Sequence, residues 1–131
     1  MPQHILKKTR QQAVVSYIGS GSNTIDLADL VFKDETLDRA NSSVTITHAW
    51  FNFVTAGNIQ RSGGATVLEF GSGSLDNWDM AQTGGFVLNQ NANANIVVNM
   101  GASAGTIILT LHKSAGYISP DYQTLTLANK I

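Results

Sequence analysis

The chain contains no cysteine and two prolines, and only 13% of its residues are charged, where a soluble domain usually has about 25%. Without cysteine there is no disulfide, no thiol nucleophile and no Cys-ligated zinc. No apolar run approaches the roughly 18 residues of a membrane span. Residues 1–8 (MPQHILKK) lack the apolar segment of a secretory signal, so neither a membrane station nor secretion is expected. No amphipathic stretch exceeds two helical turns, and no fixed-period repeat or linker divides the chain. What remains is polarity without charge: Thr, Ser and Asn fill 34 of the 131 positions.

The length suits one domain able to bury roughly two-thirds of the surface its unfolded chain exposes. Hydrophobic residues make up 43%, ample for a core. Their periodicity is that of strands, predicted at 12–18, 24–32, 44–55, 58–61, 65–70, 86–88, 95–100, 106–112 and 123–127. Within 24–32 a strand and a helical turn both fit, and a strand followed by a bend is preferred. Glycine pairs and Gly/Ser/Asn clusters punctuate the series, among them GSGSN at 19–23, GSGS at 71–74 and GASAG at 101–105. Short strands at this spacing predict an all-β, single-domain antiparallel β-sandwich that is jelly-roll-like.

The segment 44–55 (VTITHAWFNFVT) is the most informative. Val44 and Ile46 share one parity and Phe51 and Phe53 the other, so a β-bulge near residues 47–49, or a strand covered on both faces, is expected. The predicted core is Val44, Ile46, Trp50, Phe51, Phe53, Leu68, Phe70, Ile107, Leu109 and Leu111. Residues 33–43 hold five charges and read as an exposed loop, with Asp34, Glu35 and Asp38 solvated.

Charge is unevenly placed. Residues 1–10 carry Lys7, Lys8 and Arg10 and no acid, whereas the remainder has a net charge of −4. The expected organisation is a basic N-terminal arm (1–11) on a sandwich body (12–131). The arm residues Ile5, Leu6, Lys7, Lys8 and Arg10 are expected to bind a partner, the apolar pair supplying affinity and the charges orientation. Three charges without interleaved aromatics are too few for a nucleic-acid footprint.

Motifs for catalysis are thin. Glu69 lies in a predicted strand, and Asp76 or Asp79 would have to face it for glycosidase chemistry, with no spacing that favours either pair. There is no G-x-S-x-G elbow, and neither Gly-Ser-Gly-Ser segment leads into a phosphate-binding helix. His4, His48 and His112 are scattered, although His48 and His112 have the chance to meet across a sheet. The DNWD segment at 76–79 offers oxygens for Ca²⁺ but lacks the full calcium-loop pattern and reads as a capped turn. No catalytic residue, metal or cofactor is therefore expected. Trp78, Tyr117 and Tyr122, read as loop residues, form a candidate contact rim, and the Thr/Asn richness suits either sugar hydroxyls or a packed protein interface.

A β scaffold so poor in charge imposes little desolvation cost on an interface and does little to keep copies apart. The segments VVSYIGSGSNTIDLADLVF, VTITHAWFNF, GNIQRSGGATVLEF and GTIILTLHKSAGY resemble small virion structural proteins of tailed bacteriophages, especially those of marine cyanobacterial hosts. The resemblance runs over most of the chain as a style, without a catalytic motif to match. It implies a non-enzymatic virion subunit, made in the host cytoplasm, that decorates or cements a capsid. Its partners would be copies of itself, as in a trimer, and other virion proteins such as the major capsid protein. A neck or tail protein and a carbohydrate-binding, receptor-binding module are the alternatives.

Overall fold

The computed structural model describes residues 3–62, 66–80 and 93–118. Eleven strands occur in this part of the chain: β1 (Gln3–Lys8), β2 (Gln12–Gly19), β3 (Ser22–Ile25), β4 (Thr36–Leu37), β5 (Ser43–Phe53), β6 (Gly57–Arg61), β7 (Thr66–Phe70), β8 (Ser74–Asp79), β9 (Ile96–Asn99), β10 (Gly105–Ala115) and β11 (Tyr117–Ile118). Among the described residues helix is limited to two 3-10 turns, Leu27–Leu30 and Arg39–Asn41. The side chain of Asp26 caps the first by accepting from the Ala28 amide. No helix of the described residues is long and apolar enough to cross a membrane.

One sheet has the order β1-β2-β10-β5-β8, a second β3-β9-β6-β7, and β11 pairs with β4 in a short ribbon. All pairings are antiparallel. With β1 and the ribbon set aside, the eight remaining strands pair first with last (β2 with β10), second with seventh (β3 with β9), third with sixth (β5 with β8) and fourth with fifth (β6 with β7). This is the nesting obtained when one long hairpin is rolled into a two-sheet sandwich, which makes the architecture a jelly roll.

The two sheets close on a core drawn from both. Ala13, Val15 and Tyr17 come from β2, Val44, Ile46, Ala49, Phe51 and Phe53 from β5, and Ile107, Leu109 and Leu111 from β10. Ile59, Phe70, Ile96 and Val98 answer them from the other sheet. Phe53 stacks on Phe70 with ring centroids 4.3 Å apart, and Phe51 tilts against the same ring at 4.4 Å. Gly57 permits this approach, because a Cβ there would collide with the Asn99 carbonyl and the Phe53 ring.

Of the two alternatives for residues 44–55, a bulge and a strand covered on both faces, the bulge is present. Thr110 pairs with His48 and Leu111 with Ile46, so Thr47 is the extra residue and the buried parity switches from Val44 and Ile46 to Ala49, Phe51 and Phe53. That switch turns Trp50 outward, where it is 38% exposed, rather than into the core expected for it. Leu68 is half-buried against the core. The remaining residues of the expected core are buried.

Three other expectations change. Residues 3–8 are not an arm apart from the body. They form β1 and continue its larger sheet, since a segment with Ile5 and Leu6 satisfies its backbone most readily by pairing with the edge of β2. The DNWD segment is part of strand β8 rather than a capped turn, and β8 is held by six successive pairings to β5. The stretch 33–43 contains β4 and a 3-10 turn, and Glu35 within it is buried because Lys113 reaches it. The strands expected at 86–88 and 123–127 lie outside the described residues.

Candidate interaction surfaces

Alternation along the strands gives the larger sheet an inner, core-facing side and an outer side. Cross-strand partners share a face, so the outer side can be read row by row. One row runs Ile18, Thr106, Asn52, Leu75; the next His4, Ser16, Ile108, Trp50, Asn77; the third Lys7, Val14, Thr110, His48, Asp79. Ile18, Trp50 and Leu75 are exposed at 53%, 38% and 63%. Between them stand neutral amides and hydroxyls, and apart from histidines the only ionisable side chains in these rows are Lys7 and Asp79, at opposite ends of one row. His48 and His112 are not cross-strand partners: His48 stands opposite Thr110 and Asp79, and His112 opposite Gln12 and Thr45.

A second feature opens between the sheets at the β7–β8 end. Phe51, Phe70 and Trp78 line a cleft of about 290 Å³, with Glu69, Asp76, Ser74, Leu75 and Gly71 around it. Trp78 meets Phe51 edge-on at 5.9 Å. Glu69 and Asp76, which the sequence does not pair by spacing, thus line one cleft; both are exposed. Asp76 and Asp79 project to opposite faces of β8, since Asp76 pairs with inward Phe51 and Asp79 with outward His48. They cannot close together on one cation.

The third feature is buried. Lys113 Nζ donates to Glu35 Oε1 at 2.8 Å, to the Leu30 carbonyl at 2.7 Å and to the Thr9 carbonyl at 2.6 Å. The same ammonium lies 4.6 Å from the centre of the Tyr117 ring. Burial pulls the Lys113 ammonium below its ordinary range, and the Glu35 hydrogen bond opposes that shift. Burial likewise raises the Tyr117 hydroxyl, which donates to the Leu27 carbonyl at 2.7 Å. The cluster ties the β1–β2 turn, the first 3-10 turn, the loop before β4 and the end of β10 to one point.

The residues singled out from sequence fall in separate places. Ile5, Leu6 and Lys7 are exposed along β1, and Lys8 Nζ approaches the Asp29 carbonyl at 3.4 Å. Arg10 lies over the Phe32 ring at 5.5 Å. Trp78 belongs to the cleft, whereas Tyr117 belongs to the buried lysine cluster, so these two do not form a shared rim. Tyr122 lies outside the described residues. Sequence reasoning missed the Glu35–Lys113 pair and the outward Trp50. The signal for the first was slight: Lys113 continues the inward parity of Ile107, Leu109 and Leu111, a place where a lysine requires a partner.

No family model and no curated protein matches the chain. Among solved structures, a Klebsiella pneumoniae protein with a double-stranded β-helix domain aligns with TM-score 0.42 and 9% identity over 88% of this chain and 80% of its own. The tobacco streak virus coat protein dimer aligns with TM-score 0.35 and 18% identity over 88% and 94%. A Ralstonia eutropha protein whose suggested activity is mannose-6-phosphate isomerase gives TM-score 0.34 and 13% identity over 86% and 83%.

Proposed function

We propose that this chain is a non-enzymatic structural subunit of a bacteriophage virion, acting as a capsid decoration or cement protein rather than a neck or tail component. The observation that carries the reading is the outer face of the larger sheet. Ile18, Trp50 and Leu75 stand exposed there among Thr and Asn side chains with scarcely a charge, a surface inexpensive to desolvate against another protein. The partners are copies of the same chain and the major capsid protein, and the station is the virion after synthesis in the host cytoplasm. The helical content favours the capsid over the tail tube: among the described residues it amounts to two short 3-10 turns, with no helix pair for ring stacking. The carboxylates of the cleft favour a non-catalytic role, because exposed Glu69 and Asp76 lack the desolvating pocket a general acid requires.

The test is co-sedimentation of the purified protein with particles of its source virus stripped of it. Saturable binding to the shell is expected, with roughly tenfold weaker binding when Trp50 or Ile18 is replaced by Lys. Binding confined to tails moves the protein to the neck or tail, and binding to neither overturns the virion reading.

The cleft favours a second reading, a carbohydrate-binding module. Phe51, Phe70 and Trp78 line it with acceptor carboxylates alongside, a combination that suits a sugar ring. A glycan array decides between the two.

A further inference from the structure

From the turn between β1 and β2 we infer that Lys113 is the lock on an exchangeable strand. Its ammonium keeps β1 paired with β2 of its own chain, and without it β1 of one copy pairs with β2 of a second copy.

The turn is not specified by its own residues. From Gln3 to Ile18 the sequence has no Gly, Pro, Asn or Asp, the residues that ordinarily reverse a strand. The contrast is with Gly21 between β2 and β3 and Gly73 between β7 and β8, both at positive φ. Local preference therefore offers residues 3–19 no point of reversal.

What bends the chain comes from 104 positions away. Lys113 Nζ donates to the Thr9 carbonyl at 2.6 Å, and the Lys113 amide donates to the Gln11 carbonyl at 2.8 Å. One residue of β10 thus grips both sides of the turn. The Gln12 amide donates to the Thr9 hydroxyl at 3.0 Å, which leaves the Thr9 carbonyl to the lysine. Arg10 adds a further tie by lying over the Phe32 ring. The ammonium also holds Leu30 and Glu35, so swinging Thr9 away would orphan one donor of a buried cation.

β1 itself is lightly attached. Four of its six residues are exposed, and the bulge at Leu6 interrupts its ladder. Its contacts with β2 are the same whether that β2 belongs to its own chain or to another, which makes exchange a low-cost route to a dimer. A short turn that its own sequence does not favour invites such exchange.

Register fixes the geometry of the exchanged pair. Lys7 pairs with Val14 and Lys8 with Ala13. Carried through a straightened turn, the same register sets Thr9 opposite Gln12 of the second copy, and Arg10 opposite its Gln11. Each copy gives its β1 and receives the other's. The two extended strands therefore run antiparallel about a two-fold axis between Arg10 and Gln11, and the dimer is closed. The exchange uses no surface beyond the β1–β2 ladder itself and is independent of what the outer face of the sheet meets.

Because the chain has no cysteine, cross-linking can read the exchange. Lys7→Cys and Val14→Cys are carried on separate chains, which are unfolded and refolded together at high concentration and treated with a short bismaleimide. On the wild-type background almost no cross-linked dimer is expected. On the background Lys113→Met/Glu35→Leu, which removes both buried charges, at least about tenfold more is expected, and neither cysteine variant alone should give it. Adding Arg10→Asn/Gln11→Gly to that background supplies a local turn and should return the cross-link to the wild-type level, which a mere loss of core stability would not allow. Lys113→Gln/Glu35→Gln carries the same comparison if the apolar replacement does not fold. Equal cross-linking with and without the ammonium would overturn the lock. So would the absence of any cross-link once it is removed, or a cross-link that the Asn-Gly turn fails to suppress.

Discussion

Glu35 and Lys113, 78 positions apart in sequence, form an ion pair at 2.8 Å with their side chains 2% and 0% exposed. The ammonium is shared with two backbone carbonyls, so each of its donors has work in the core, and the carboxylate also accepts from the Phe32 amide at 2.9 Å. Breaking such a pair from one side leaves a buried charge without compensation. Lys113→Met should cost about 3–5 kcal/mol in denaturant unfolding. The double variant Lys113→Met/Glu35→Leu should cost clearly less than the sum of the two single changes. Additive losses would show that the two side chains act independently.

The stacked pair Phe53 and Phe70 sets the scale of the aromatic core. Phe53 is fully buried, so Phe53→Ala should lose about 3–5 kcal/mol, measured by chemical denaturation. Trp50→Ala on the open face should lose about 1 kcal/mol or less. Equal losses would contradict the outward orientation of Trp50.

Gly57→Ala should destabilise as severely as a core truncation. Its added methyl meets the Asn99 carbonyl and the Phe53 ring, and a backbone group cannot rotate out of the way. Gly21→Ala, with open space around its Cβ but a positive φ of 72°, should cost only about 1 kcal/mol of backbone strain. Thermal unfolding of the two variants separates collision from strain.

Asp26 provides the pH dependence. Its hydrogen bond from the Ala28 amide, and then the Arg39 guanidinium at 2.9 Å, hold the carboxyl below its ordinary value of 3.8. A depressed folded-state pKa contributes stability that is present above the unfolded value and lost as pH falls through the folded one. Wild type should therefore exceed Asp26→Asn in melting temperature near pH 6, the difference narrowing below pH 4 and closing at still lower pH. The group is half exposed, so the difference should be small. A difference independent of pH would assign the role of Asp26 to shape rather than charge.

If Trp78 serves protein contact or internal packing, a glycan array will be blank for the wild type. If the cleft binds sugars, Trp78→Ala will abolish the signal while leaving the melting temperature within a few degrees. The first outcome is expected.

The architecture was legible because strand parity and glycine punctuation are local signals, and the mismatch between Ile46 and Phe51 narrowed the middle of β5 to a bulge or a strand covered on both faces, of which the register shows the bulge. The extent of β8 was not. DNWD has turn-forming residues and no alternation of its own, and becomes a strand only because β5 offers an edge. Trp50 was misplaced for a related reason: the bulge was expected, but the bulged strand's outward parity is set by where Thr47 drops out of register. Glu35 looked like one charge among five in a loop, since a partner 78 residues away leaves no local trace. The cleft depends on three aromatics from three strands whose convergence is a property of the rolled topology.

That topology also governs how the chain matures. Residues 12–19 obtain their inner neighbour only when residues 105–112 are available, and 22–25 wait for 96–99. The pairings of β2 and β5 with β10 and of β3 with β9 join distant parts of the sequence, the arrangement that makes β proteins fold in milliseconds to seconds rather than microseconds. On the ribosome, β2 and β3 must therefore remain without these partners until residues 96–112 have been synthesised. The larger sheet is complete only once residues 105–115 can pair with both β2 and β5.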